Sequence, residues 1–129
     1  RILLIASIGA YQPSPTYASY SATKSYVLNF GEAINYELKG TGVSCSVLSP
    51  GLTRTEFHDV AGQEKLTLYQ RLTMMSPEKA CKVGIRAMVR GKPSVLPGLL
   101  NKASIVLVKL IPRTWATAMA YRMMTFGTK

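Results

Sequence analysis

Gly42-Val43-Ser44-Cys45-Ser46-Val47-Leu48-Ser49-Pro50-Gly51 is the stretch on which the fold turns. Residues 42–49 are mostly small or β-branched and the Pro-Gly pair stops them, the pattern of a short strand. Upstream, from Thr16 to Lys39, apolar residues at Val27, Phe30, Ala33, Ile34 and Leu38 recur at helical spacing, and Gly40 and Gly42 close the segment. Ser14 and Pro15 offer this helix a cap and a first residue. Upstream again, Arg1-Ile2-Leu3-Leu4-Ile5-Ala6-Ser7 has the length and apolarity of a strand buried on both faces of a parallel sheet. Strand, long helix and strand form a right-handed βαβ unit, so the predicted class is α/β with a doubly wound parallel sheet. In such sheets ligands lie beyond the carboxyl ends of the strands, which puts Ser7 and Pro50-Gly51 on the ligand-binding edge.

Working outward, the rest of the chain continues the alternation. Phe57 to Leu72 is weakly amphipathic and polar, consistent with one or two short helices over that edge. Ser76-Pro77-Glu78-Lys79 combines a cap, a proline at the first helical position and an acidic first turn, and it opens a helix to about Arg90 that Gly91 ends. Ser94-Val95-Leu96-Pro97-Gly98 reads as a short last strand. Leu99 to Ile111 and Arg113 to Phe126, split by Pro112, read as two basic amphipathic helices. The expected organisation is therefore a sheet-bearing part, 1–98, and a helical tail, 99–129. With 129 residues, 47% hydrophobic content and mean hydropathy +0.12, one domain or part of one is expected, and the opening on an apolar run reads as a piece cut at a strand.

Charge and composition narrow the chemistry. The formal net charge is +10, from 16 Lys+Arg against 6 Asp+Glu, but the basic residues recur singly rather than in a patch, so solvated helix faces are expected and nucleic acid is not. Cys45 and Cys81 have no Cys-x-x-Cys or Cys/His ligand spacing and read as buried free thiols of a reducing, cytoplasmic setting. His58 is the sole histidine and has no partner at ligand spacing, so no metal is expected. Ser7 lacks a Gly-x-Ser-x-Gly elbow and a triad partner, which argues against hydrolysis.

Tyr20 and Lys24 lie one turn apart on the long helix and share a face. A free phenol, with a pKa of about 10, exchanges its proton poorly at neutral pH until a nearby cation stabilises the phenolate. With Lys24 as that cation, Tyr20 can give a proton to a carbonyl oxygen or take one from an alcohol. Ser7, at the tip of the first strand, can hydrogen-bond the same oxygen. This is the only Tyr-x-x-x-Lys in the chain, and it falls on the first turns of a helix that follows a strand.

Ile5-Ala6-Ser7-Ile8-Gly9-Ala10, then Tyr20-Ser21-Ala22-Thr23-Lys24, then Leu48-Ser49-Pro50-Gly51-Leu52-Thr53-Arg54-Thr55 resembles, in order and spacing, the second half of the short-chain dehydrogenase/reductase family. The resemblance implies the C-terminal part of a Rossmann fold and hydride transfer between NAD or NADP and a small carbonyl or alcohol. It implies that Ser7 positions the substrate oxygen, Tyr20 is the acid/base, and Lys24 activates Tyr20 and holds the nicotinamide ribose. It further implies that Pro50 and Gly51 border the nicotinamide, the Thr53 backbone meets the carboxamide, and the Thr55 hydroxyl reaches the carboxamide or pyrophosphate. The family more often has a branched aliphatic residue at the place of Thr53. Its glycine-rich dinucleotide turn, the residue that chooses between NAD and NADP, and a catalytic asparagine have no counterpart in this chain, so the expected activity belongs to an intact protein and the piece alone is expected to be inactive.

Two further expectations concern surfaces. A homo-oligomer through the 16–39 helix is the expected assembly. The tail, with Lys102, Lys109, Arg113 and Arg122 beside Trp115 and Tyr121, admits peripheral contact with an anionic membrane, although Lys109 and Pro112 break its apolar stretch short of a span. The competing reading is a non-catalytic Rossmann relative acting as a binding or membrane-surface module. The retained Ser7, Tyr20 and Lys24 weigh against it.

Overall fold

Ile2–Ile5 (β1) runs parallel to Cys45–Leu48 (β2), with Ile2 opposite Cys45 and Ile5 opposite Leu48. Strand β2 runs parallel in turn to Ser94–Val95 (β3), giving the order β1-β2-β3. The computed structural model describes residues 1–53 and 68–125. Helix α1, Ala18–Glu37, is the crossover from β1 to β2, and helices α2, Leu68–Thr73, and α3, Pro77–Val89, lie between β2 and β3. Helices α4, Leu99–Leu110, and α5, Arg113–Met124, follow the sheet.

The two long crossover helices cover opposite faces. Gly31 of α1 sits on the Val47 side chain and Gly84 of α3 on the Leu48 side chain. Consecutive strand residues point to opposite sides, so the molecule is layered helix, sheet, helix around β2. Strand β2 is the central element: Cys45, Ser46, Val47 and Leu48 are all buried. Ala6, Ala10, Leu28 and Val47 form the core between sheet and α1, with Leu4, Tyr11 and Val27 packed against it.

Local chemistry explains the element ends. Ser76 caps α3 by accepting the Lys79 N–H at 3.4 Å, and Pro77 begins it. A hydrogen bond with the Ser76 hydroxyl, then one with its own N–H, holds the Glu78 carboxyl below the ordinary 4.5. Gly91 follows Arg90 in the left-handed region (φ +63°), where a helix stop favours glycine.

Four expectations are corrected. Helix α1 starts at Ala18 rather than at Pro15: its cap position is Tyr17, without a side-chain capping bond. Ser14 is instead buried in a turn in which its carbonyl accepts the Tyr17 N–H at 3.0 Å, and Thr16 takes φ +70°, which no continuing helix allows. Among the described residues β1 is the outer strand of three, so Ile2 and Ile5 are 42% and 48% exposed rather than covered on both faces. Of the two thiols only Cys45 is buried; Cys81 faces outward from α3, whose inner side is lined by Ala80, Gly84 and Ala87. Finally, Phe30 and Ala33 of the apolar series on α1 are exposed, because the sheet-facing positions are taken by the smaller Ser21 and Gly31 together with Leu28. Phe30 stacks on Tyr26 along the outer face, ring centroids 5.6 Å apart.

Candidate active site

Where β1 ends, the chain passes through Ala6 and Ser7 into a single 3-10 turn, Ile8–Tyr11. Ser7 caps that turn, its Oγ accepting the Gly9 N–H at 3.2 Å. A hydroxyl carries one proton and two lone pairs, so this bond fixes the oxygen while leaving its proton to donate elsewhere. The turn is held from two sides: Ile8 N–H donates to the Pro50 carbonyl at 2.9 Å, and the Ser25 hydroxyl of α1 donates to the Ala10 carbonyl at 2.6 Å.

Tyr20, in the first turn of α1, brings its ring over this turn. A Cβ placed on Gly9 would lie 3.7 Å from Ser7 Oγ and 3.7 Å from Tyr20 Cε1, so the serine oxygen and the phenol edge flank one small space that a glycine keeps open. Lys24, one helical turn on, is half-buried. Its Nζ donates to the Ile5 carbonyl at 3.0 Å and lies 5.8 Å from the Tyr20 ring centroid. The ammonium is thus pinned at the strand end beside the phenol, and among the described residues two of its three N–H groups remain for a ligand.

The second half of the edge is the turn after β2. Pro50, Gly51, Leu52 and Thr53 are half-buried there. Thr53 pairs with Met75, and the Met75 N–H donates to the Leu52 carbonyl at 3.0 Å. The structure therefore brings Ser7, Tyr20 and Lys24 together and sets Pro50-Gly51 next to their turn through the Ile8–Pro50 hydrogen bond. Thr55 and His58 lie outside the described residues. Among the described residues no group of three or more His, Cys, Asp or Glu is arranged to hold a metal ion. Cys45, in the strand behind the site, is 1% exposed, and burial pushes its thiol up.

One side chain at this edge has no precedent in the sequence reading. Asn101 of α4 is 2% exposed, and its Nδ2 donates to the Pro97 carbonyl at 2.9 Å. Its amide presses on Gly51, where a Cβ would stand 2.5 Å from Nδ2. Tyr69 of α2 reaches the same cluster through its hydroxyl, 2.9 Å from Ser104 Oγ. The available signal was an amide placed directly after Leu99-Leu100 in an apolar helix start, the only asparagine beyond Asn35.

Residues 1–66 match the sequence model of the short chain dehydrogenase family. The chain belongs to the short-chain dehydrogenase family. Among curated members, dehydrogenase/reductase SDR family member 4 from Sus scrofa is 31% identical over 64 residues, 50% of this chain and 23% of its own length. Its Homo sapiens counterpart is 24% identical over 100 residues, 78% of this chain and 32% of its own. The 3-oxoacyl-[acyl-carrier-protein] reductase FabG of Buchnera aphidicola is 35% identical over 57 residues, 44% of this chain and 23% of its own. The chain thus spans about a quarter to a third of the curated relatives it matches. Among solved structures, a 7beta-hydroxysteroid dehydrogenase superposes with TM-score 0.76 over 92% of this chain and 46% of that one at 22% identity, a likeness of fold. A Comamonas testosteroni alcohol dehydrogenase specific for bulky-bulky ketones gives 0.55 over 87% of this chain and 43% of that one, at 21% identity. The three parallel strands with helices on both faces are the Rossmann-like arrangement of these short-chain dehydrogenases.

Proposed function

We propose that this chain carries the proton-transfer and nicotinamide-facing half of an NAD(P)-dependent oxidoreductase acting on a carbonyl/alcohol pair. The observation that carries the reading is the convergence of Ser7 Oγ and the Tyr20 ring edge on the space over Gly9, with Lys24 fixed beside them. In the reduction direction the substrate oxygen accepts a hydrogen bond from Ser7 and the proton of Tyr20, while Lys24 stabilises the phenolate left behind. In oxidation Tyr20 takes the alcohol proton. A bound nicotinamide supplies or accepts the hydride. The donor set suits its ribose end: Lys24 has two N–H groups to offer, and Pro50, Gly51 and Thr53 border the same edge, as Thr55 does in sequence. Whether NAD or NADP is used is decided by residues other than these. In this reading 1–98 is the second half of the catalytic domain and 99–129 its helical tail, in a protein of the reducing cytoplasm.

The test is NAD(P)H oxidation by the full-length protein against a panel of carbonyls, comparing wild type with Tyr20→Phe. Loss of about 10²–10⁴-fold in turnover, with cofactor binding retained, is expected of a lost acid/base. Equal rates remove the assignment and favour the non-catalytic relative.

Two surfaces extend the proposal. The outer face of α1 exposes Tyr26, Phe30 and Tyr36, 67%, 45% and 69% accessible, which supports self-association through that helix. Sedimentation of the full-length protein checks it: Tyr26→Glu with Phe30→Glu is expected to yield the smaller species. Residues 99–129 contain no acidic residue, and α4 and α5 expose Leu107, Leu110 and Trp115 beside Lys109 and Arg113, which supports peripheral contact with anionic lipid. Among the described residues no helix is long and apolar enough to cross a membrane. Flotation with phosphatidylserine vesicles, reduced by Trp115→Ala and by high salt, is the expected result; equal recovery on neutral vesicles counts against it.

A further inference from the structure

A primary amide taken out of water must find partners for its donors and acceptor or lose stability. Asn101 meets them on two sides. Its Nδ2 donates to the Pro97 carbonyl ahead of α4 and its Oδ1 lies 3.5 Å from the Tyr69 hydroxyl of α2, while the main-chain carbonyl of Asn101, not the amide, accepts the Ser104 hydroxyl at 2.8 Å. The phenol has one proton and gives it to Ser104 Oγ at 2.9 Å, which passes its own to the Asn101 main-chain carbonyl, so Tyr69 is held to α4 there and only leans on the Asn101 amide.

The packing around this amide is as specific as its hydrogen bonding. A Cβ on Gly51 would meet its Nδ2, Cγ and Oδ1 at 2.5, 3.0 and 3.1 Å, and one on Gly98 would meet Nδ2 at 3.1 Å. Gly51 is not in the left-handed region, unlike Gly98 at φ +91°, so its backbone conformation does not demand glycine. What demands it is the amide. On the other side of the same turn, Met75 holds Leu52 and Thr53, and its Cε lies 3.6 Å from the Cβ position of Gly98.

We infer that Asn101 is a positioning residue: wedged against Gly51, it sets the placement of the Pro50–Thr53 turn and, through Tyr69 and Ser104, fastens that turn to helix α2, so that the cofactor-side turn and the segment beside it are held as one unit. The functional part of this inference rests on the proposed nicotinamide site; the wedge itself does not. Pro50 to Thr53 can present carbonyls and N–H groups to a nicotinamide only where the amide holds them.

The experiment is a double-mutant cycle in the full-length protein, read by NADH or NADPH fluorescence on binding and by thermal melting. Gly51→Ala alone forces a methyl onto Asn101 and is expected to weaken cofactor binding about tenfold or more and lower the melting temperature. In an Asn101→Ala background the methyl has room, so Gly51→Ala is expected to cost about twofold or less, the non-additivity of two groups in contact. The same factor in both backgrounds overturns the inference. If the single variant does not fold, recovery of folded protein in the double variant is the same result, and failure of both is decided by Tyr69→Phe. That variant removes one hydroxyl and is expected to speed amide exchange at residues 51–53; unchanged exchange there overturns the link to α2. Should the wild type bind neither NADH nor NADPH, the proposed function fails, while melting and exchange still judge the wedge.

Discussion

The two thiols of this chain differ in their exposure. Cys45 is buried in the central strand, and burial raises its thiol, so at neutral pH it is both less ionised and out of reach. Cys81 stands exposed on α3. Labelling of the folded protein with an aromatic disulfide at pH 8 is therefore expected to modify Cys81 quickly and Cys45 only after denaturant is added; rapid reaction of both, or of Cys45 in a Cys81→Ser variant, contradicts the described packing. The same scale shows what sequence can carry. The nearness of Lys24 to Tyr20 was legible because their relation is local, four positions on one helix, and the place of Ser7 because a strand tip has a fixed position in a βαβ unit. Asn101 was not, since the glycine it touches lies 50 positions away and no local pattern records that contact. Cys81 was misread for a related reason: composition marks a cysteine as apolar but does not say which side of its helix meets the sheet.

Helix α1 illustrates the limits at the scale of elements. Its existence follows from apolar spacing and its C-terminal end from glycines, while its start falls at Ala18 rather than Pro15, and the face it turns to the sheet carries small and polar residues beside Leu28. Gly31 rests on Val47 and Leu4, the Asn35 amide donates to the Cys45 carbonyl at 2.5 Å, and Lys24 and Ser25 reach the carbonyls of Ile5 and Ala10. Close approach of helix to sheet replaces bulk with hydrogen bonds, which hydrophobic spacing does not register. Gly31→Ala tests how close. In an exposed helix the change would stabilise by roughly 1 kcal/mol. Here the new methyl overlaps Val47 Cγ2 and comes within 3.0 Å of Leu4 Cδ1. Val47 is fully buried and β-branched, with little freedom to swing aside, so overpacking of about 1–3 kcal/mol is expected to win. The melting temperature should fall by several degrees; a rise would show that the helix can lift from the sheet. Gly84→Ala, which meets the movable end of Leu48 at 2.7 Å, should cost less. The cap of α3, by contrast, was fully readable, since Ser76, Pro77 and Glu78 interact only within their own turn.

For the molecule as a whole, the layered α/β arrangement was legible from the strand, helix, strand order alone, because few connections between parallel strands are physically possible. The bond from the Ile8 N–H to the Pro50 carbonyl has a larger consequence. It makes the serine-bearing turn and the Pro-Gly turn a single mechanical part, seated in turn on Ser25 and on Asn101. Chimaeras that swap in one of these two loops from a relative inherit half of a matched pair. Exchanging 7–11 together with 50–53 is expected to keep turnover where either exchange alone loses it, and the useful module for recombination is discontinuous in sequence.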